Sequence, residues 1–392
     1  MLANSPPLPI IIDHLYEDKD ITTEDEEGII LALQHHDRVR RIRLKNPIPK
    51  LQRLVLALDE EYPNLEFMLI EHQSYLSPSN TNNTSLNFPE TFRAPHLRHL
   101  VLMNFDLPIT SPLLITMGNL VTLSLNSIPP SAFFNPNALL QRLSLMPQLE
   151  NLGILFSTHF PSRSVIERQL LRVPIVTHAA LPNLRWFAFK GASTYLEALL
   201  PWVSFPLLEK LQVYFFNQLT YSVPYLQQFL NAAGNFLPIS LLLIFCENCL
   251  DITAPPPKGY LSMALGGFHL DWQVASAAQL FHTLATVFSA VEHLTLQYDR
   301  HFVSPVWNNE ADRTEWRELL GSFSKVKTIL VDDELVGQLS HSLQPGEGES
   351  PMELLPELQE LSYRSTDASR DVFAKFIHAR QKAGHPVTTV IE

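Results

Sequence analysis

A pattern of apolar-x-x-apolar-x-apolar returns along the chain, and it constrains the fold more than any other feature. Clear copies place apolar residues at Leu97, Leu100 and Leu102, at Leu120, Leu123 and Leu125, at Leu149, Leu152 and Ile154, and at Leu184, Phe187 and Phe189. Others fall at Leu208, Leu211 and Val213, at Val291, Leu294 and Leu296, at Val326, Ile329 and Val331, and at Leu358, Leu361 and Tyr363. Looser copies come earlier, at Val39, Ile42 and Leu44 and at Leu65, Met68 and Ile70. Residues 239–245 supply a further copy, and a weak strand at 260–265 divides the 52 residues between Ile239 and Val291. Other spacings run from 23 residues (97 to 120) to 35 (149 to 184), room for one strand plus one helix or long loop. A strand alternates its side chains, so the last two apolar positions of each copy face one side. The residues flanking the middle apolar position face the other. Each buried Leu or Ile contributes roughly 1.5–3 kcal/mol. One repeat cannot cover its own apolar face, so the copies must stack. The expected fold is one α/β solenoid domain over residues 1–392, with a curved, mostly parallel sheet and helices and loops on its convex side.

The intervening segments read as helices. Thr23, Glu24, Asp25 and Glu26 form a capping box that opens a helix to Gln34. Helical apolar spacing predicts further helices at 50–61, 137–145, 193–200, 223–233, 272–288 and 369–383. Pro63, Pro95, Pro147, Pro182, Pro206 and Pro356 stand just ahead of strands, where proline ends the preceding segment without removing a ladder hydrogen bond. Polar or proline-rich loops are expected at 77–85, 255–257 and 344–351.

Prolines ahead of Leu-x-x-Leu-x-Leu strands, irregular spacing and abundant Phe, Pro and Leu form a recognisable style. So does an opening of Pro7, Leu8, Pro9, Ile10, Ile11 and Ile12 followed by Arg38 to Leu44. Over nearly the whole chain this resembles the leucine-rich-repeat-like C-terminal region of fungal F-box proteins. The resemblance implies a leucine-rich-repeat-like solenoid that selects a target protein for a cullin-type ubiquitin ligase. The F-box itself opens on a Leu-Pro followed by acidic and apolar helical residues, and no room for it exists before Pro7. Leu355-Pro356-Glu357-Leu358 echoes that opening but lies in a repeat strand. The chain is therefore expected to carry no F-box and not to bind the Skp-type adaptor directly.

Charge narrows the partners. Lys and Arg number 28 against 40 Asp and Glu, for a net charge of −12. That balance disfavours nucleic acid, which needs a basic stripe, and an anionic membrane surface. The longest apolar runs, such as 241–246, fall far short of the roughly 20 residues of a membrane helix. The opening residues lack the basic region of a secretory leader, so a soluble protein of the cytosol or nucleus is expected, and the sequons at Asn82 and Asn83 read as a polar loop. Glycine is scarce, at 13 residues. Phosphate-binding loops, nucleophile elbows and kinase motifs are absent, so no enzyme is expected. The rival readings are a hydrolase-like enzyme with a loop-built site and a fragment without retained function.

Cys246-Glu247-Asn248-Cys249 provides half a zinc site or a redox dithiol. With only two cysteines in the chain, the pair reads as small loop or core residues, and no metal or cofactor is expected. His35 and His36 lack an H-E-x-x-H frame and sit at a predicted helix end, where a protonated imidazole complements the helix dipole.

The open, concave sheet face is the candidate site, a surface for an unknown target protein. Its outward positions include Arg41, Arg43, Phe67, His99, Thr122, Asn151, Trp186, Lys210, His293 and Glu360. Buried aromatics and arginines concentrate binding energy, so Trp186 and Phe67 are the anchors and Arg41 and Arg43 the charged specificity elements. The basic cluster Arg38, Arg40, Arg41, Arg43 and Lys45 suits an anionic or phosphorylated segment, although pairing with the acidic stretch 17–27 is the plainer reading.

Overall fold

The computed structural model describes residues 8–15, 22–73, 86–115, 117–129, 132–157, 173–218, 220–255, 259–267, 269–299, 313–344, 350, 352–363 and 372–391. The sequons at Asn82 and Asn83 and most of the loops expected at 77–85 and 344–351 lie outside these residues, as do 256 and 257. The chain divides into two compact units, Met1–Gly191 with Ala198–Leu208, and Ala192–Glu197 with Glu209–Glu392.

In the first unit, strands β1 (Ile10–His14), β2 (Val39–Asn46), β3 (Phe67–His72), β4 (His99–Met103), β5 (Thr122–Ile128) and β6 (Asn151–Phe156) follow one another. After the two-residue β7 (Ala179–Ala180) comes β8 (Trp186–Gly191), and β7 pairs with β9 (Val203–Ser204). Strands β1 to β6 and β8 pair in that order, every pair parallel. The register is the repeat itself: Ile42, Met68, Leu100, Leu123, Leu152 and Phe187 form one row, and Leu44, Ile70, Leu102, Leu125, Ile154 and Phe189 the next. Both rows are buried. Rings fill the same interior, with Phe156 in contact with Phe133, Phe134 and Phe189 at centroid distances of 4.4, 5.5 and 6.2 Å. Gly191 makes room there, because a Cβ on it would lie 2.7 Å from Phe189 Cζ.

The prolines have a more specific task than stopping a segment. Each is the second residue of a tight turn in which the N–H of the first repeat leucine bonds back three residues. Leu65 donates to Tyr62 (3.3 Å), Leu97 to Ala94 (3.1 Å), Leu149 to Met146 (3.2 Å) and Leu184 to Leu181 (3.2 Å). Proline's fixed φ suits that position. In four copies the residue just before the first repeat leucine then reaches back one repeat. Asn64 Nδ2 donates to the Asp37 carbonyl (2.6 Å), Asn119 Nδ2 to Pro95 (2.9 Å) and Asn183 Nδ2 to Pro147 (3.2 Å), while His96 Nδ1 bonds the Pro63 carbonyl (2.6 Å). These side-chain bonds tie four of the turns to the preceding repeat and satisfy carbonyls there.

The second unit contains β10 (Lys210–Phe215), β11 (Ser240–Phe245), β12 (Cys249–Ala254), β13 (Tyr260–Gly266), β14 (His293–Tyr298), β15 (Thr328–Val331), β16 (Glu360–Tyr363) and β17 (Thr388–Ile391). Strand β10 pairs in parallel with β13, and β11 begins a parallel run through β14, β15, β16 and β17. Between them, β12 pairs antiparallel with both β11 and β13. The weak strand expected at 260–265 is thus β13, and β12 is an extra strand outside the repeat pattern. Leu241, Leu294, Ile329 and Leu361 form the inner row. At the last repeat, Arg380 takes the place of the turn asparagine: fully buried, its Nη2 donates to the carbonyls of Pro356 (3.2 Å) and Leu358 (3.1 Å).

The helices fall near their expected places with shifted ends. The first spans Thr23–Leu33, and its capping box is Thr22 with Asp25, one residue earlier than expected. Glu26 is instead buried and ion-paired with Arg53 (3.0 Å). The helix expected at 50–61 is Ile48–Leu56; Tyr62 beyond it is buried, with its hydroxyl donating to the Leu33 carbonyl (3.1 Å). Others are Pro136–Leu143, Ser193–Leu199, Pro224–Ala233 and Ala374–Lys382, and the one expected at 272–288 splits into Leu270–Thr283 and Ala285–Phe288. Pro112–Ile115, Arg313–Gly321 and Asp333–Leu343 were not anticipated. Trp316 of Arg313–Gly321 is fully buried, 5.5 Å from the ring of Phe245, with Nε1 donating to Gln338 Oε1 (3.1 Å). No helix among the described residues is long and apolar enough to cross a membrane.

Leu152→Ala, in the middle of the first inner row, is expected to cost about 2–5 kcal/mol in urea unfolding, as for other buried leucines. Asn183→Ala, which removes one rung of the turn ladder, is expected to cost only about 0.5–1.5 kcal/mol in the same experiment.

Candidate functional site

The register that stacks the inner rows aligns the outer residues equally. In the first unit, Arg41, Phe67, His99, Thr122, Asn151 and Trp186 are successive cross-strand partners. Most are joined by direct contact. The Arg41 guanidinium lies 4.7 Å from the Phe67 ring centroid, a cation–π geometry. The Phe67 and His99 rings are 6.1 Å apart at 37°. His99 Nδ1 is 3.1 Å from Thr122 Oγ1, and Asn151 Nδ2 donates to that same oxygen at 3.3 Å. Both bonds are satisfied when the Thr122 hydroxyl accepts from Asn151 and donates to an unprotonated Nδ1. Burial, assisted by the positive charges of Arg98 and Arg41, lowers the His99 pKa from its ordinary value and favours that neutral form.

The next outer row runs Arg43, Leu69, Val101, Ser124, Gly153 and Ala188, so its side chains shrink from β2 to β6. A Cβ on Gly153 would lie 2.9 Å from Ser124 Oγ. Beside the first row, the turns ahead of the strands enclose a cleft of about 520 Å³ lined by Glu66, His96, Arg98, Asn119 and Gln148 among others.

The basic cluster is divided between pairing and exposure. Arg40 pairs with Glu66 (2.9 Å), Arg43 with Asp13 (2.8 Å) and Lys45 with Glu71 (3.1 Å), and Arg38 donates to the Leu8 carbonyl. These acidic partners lie on β1 and β3 or beside them; residues 17–21 of the expected acidic stretch lie outside the described residues. Arg41 is exposed and stacks on Phe67.

The second unit carries the other expected residues on separate stretches of its sheet. Lys210 faces Tyr260 across β10 and β13. His293, Thr328 and Glu360 are successive partners, with His293 Nδ1 2.7 Å from Thr328 Oγ1. Strands β13, β12 and β11 separate Lys210 from His293, one strand more than the expected copies at 239–245 and 260–265 supply. Arg98 at the cleft and Tyr260 opposite Lys210 went unnoticed in the sequence. The residue just before the first repeat leucine (Asn64, His96, Asn119 and Gln148) was the available signal for the cleft. His36 Nδ1 bonds the Glu61 carbonyl (2.9 Å).

No protein-family model and no curated protein matches the chain. Among solved structures, the leucine-rich repeat-containing protein LegL7 from Legionella pneumophila is similar at a TM-score of 0.26 and 13% identity, over 82% of this chain and 92% of that one. The strand register defines the class: a mixed α/β, leucine-rich-repeat-like fold with a mostly parallel sheet.

Burial also lowers the pKa of His72, whose Nδ1 lies 3.0 Å from the Asn104 carbonyl. Both His72 and His99 then titrate below 6.5 in the folded protein. The unfolded chain takes up these protons first as pH falls. Stability from the two groups is therefore present above the unfolded value and lost as pH falls through the folded ones. Histidine NMR titration is expected to give both midpoints below those of a denatured sample, and urea unfolding to show lower stability near pH 5.5 than near pH 7.5.

Proposed function

We propose that the chain is a non-catalytic protein-binding scaffold whose first unit docks a partner segment along the row from Arg41 to Trp186. The observation that carries this reading is the unbroken series of contacts from Arg41 through Phe67, His99 and Thr122 to Asn151. Side chains that already hold one another in place lose little freedom when a partner covers them. An exposed guanidinium over a half-buried ring offers an anchor to a segment that carries an acidic or phosphorylated residue beside an apolar one. Arg98, at the cleft beside the row, adds a second positive charge. Arg43, Lys210, His293 and Glu360 extend the expected surface beyond this row, with Arg43 already committed to Asp13.

The finer reading is that the chain is the target-recognition region of an F-box-type ubiquitin-ligase receptor, found in the cytosol or nucleus. It rests on the resemblance in the proline-led strands. On that reading the target binds this chain while the Skp-type adaptor does not.

The test is affinity capture from cytosolic and nuclear extracts, comparing the native chain with Arg41→Ala, Phe67→Ala and Trp186→Ala. A protein held by the native chain is expected to weaken by roughly 30-fold, or about 2 kcal/mol, with at least one of the three. Far-UV circular dichroism and melting temperature should stay nearly unchanged for Arg41→Ala and Trp186→Ala. Capture that is indifferent to all three but lost on substituting exposed Glu27, on the helical side, would assign binding to the opposite surface.

A further inference from the structure

The tip of the β11–β12 hairpin gathers three metal-ligand side chains. Cys246 and Cys249 flank the two-residue turn Glu247-Asn248, and Asp251 follows on β12. Their ligand atoms all lie within 4.8 Å of one another, and all three side chains are partly exposed. Each thiol addresses a different oxygen of one carboxylate: Cys246 Sγ is 3.9 Å from Asp251 Oδ2, and Cys249 Sγ is 3.7 Å from Oδ1. We propose that Cys246, Cys249 and Asp251 form a binding site for one zinc-class divalent cation.

The distances support this occupant. Zinc–sulfur and zinc–oxygen bonds of about 2.3 and 2.1 Å at a tetrahedral angle place sulfur and oxygen about 3.6 Å apart. Whichever oxygen binds, one sulfur already stands close to that separation, at 3.7 Å from Oδ1 or 3.9 Å from Oδ2, and the three ligand atoms lie within 4.8 Å of one another. A cation can enter with little displacement of the donors, taking the place of the two S–H···O hydrogen bonds. The two thiol protons leave to solvent, both sulfurs bind as thiolates, the carboxylate is the third donor and water the fourth.

The hairpin tip is held before any ion arrives. The Cys246 N–H donates to the Cys249 carbonyl (2.9 Å), and Gly267 N–H donates to the Asn248 carbonyl (3.0 Å). Buried Gln273 reaches over from the helix Leu270–Thr283, its Nε2 donating to the carbonyls of Cys246 (2.6 Å) and Gly267 (2.9 Å). A rigid support of this kind keeps the donors from spreading. Two thiolates with a carboxylate select zinc over the hard cations magnesium and calcium.

The test titrates the full chain, held reduced by a phosphine, with cadmium as the spectroscopic probe. The expected result is an ultraviolet thiolate-to-cadmium band that saturates at one equivalent, two protons released per ion in an indicator assay, and displacement of cadmium by zinc but not magnesium. Cys246→Ser and Cys249→Ser should abolish the band. Asp251→Asn should keep a band but bind at least about tenfold more weakly, the loss expected from even an outer-shell partner. Absence of the band in the native chain overturns the proposal without reference to any variant. So does an affinity unchanged in Asp251→Asn, or a Cys246–Cys249 disulfide that the reductant fails to open.

Discussion

Parallel strand register is the constraint on which the rest of the protein depends. Each strand offers two apolar side chains that no single repeat can cover, and only neighbours in the same register can cover them. The row from Ile42 to Phe187 exists because six strands start at equivalent points. For four of the six the starting point is set by a tight turn that closes on the first leucine of the repeat, with proline as its second residue. The residue just before that leucine binds back to the preceding repeat at Asn64, His96, Asn119 and Asn183. A slip of one residue would reverse every side chain in a strand, so this ladder protects the core although its own bonds are modest in energy.

The outer face follows from the same register but under looser demands. Inner residues must be apolar and of fitting volume; outer ones need only tolerate their neighbours. That freedom explains why an arginine, an aromatic ring, an imidazole, a hydroxyl and an amide occupy equivalent positions on successive strands. The chain of contacts from Arg41 to Asn151 costs the fold little, because the strands stand at their spacing for other reasons. Such a surface can vary in its side chains without disturbing the inner rows, because alternate residues of a strand face opposite sides.

The β11–β12–β13 segment departs from the repeat. An antiparallel hairpin needs only a short turn, whereas each parallel step needs a crossover. The chain therefore doubles back twice between β11 and β13 while the strands on either side keep the parallel sense. The departure places a turn at the strand end, and this turn carries the two cysteines. Asp251 joins them because two residues along a strand return the side chain to the same face.

The repeat, the inner rows, the proline turns and most helices were legible in the sequence, since each is set by local periodicity or by the chemistry of a few adjacent residues. Outward placement of Arg41, Phe67, His99 and Trp186 was legible for the same reason: alternation follows once the strand is known. The cap at Thr22 rather than Thr23 was a near miss, because two adjacent threonines offer the same hydroxyl and only the backbone path selects one. The extra strand β12 stayed hidden, since a short strand beside a turn has no period of its own. Pairing of Arg43 with Asp13, stacking of Arg41 on Phe67, the burial of Arg380 and the meeting of Asp251 with two thiols were decided by tertiary structure alone. Each depends on which strand or helix lies next to which, and neighbour identity arises from packing between segments far apart in the chain.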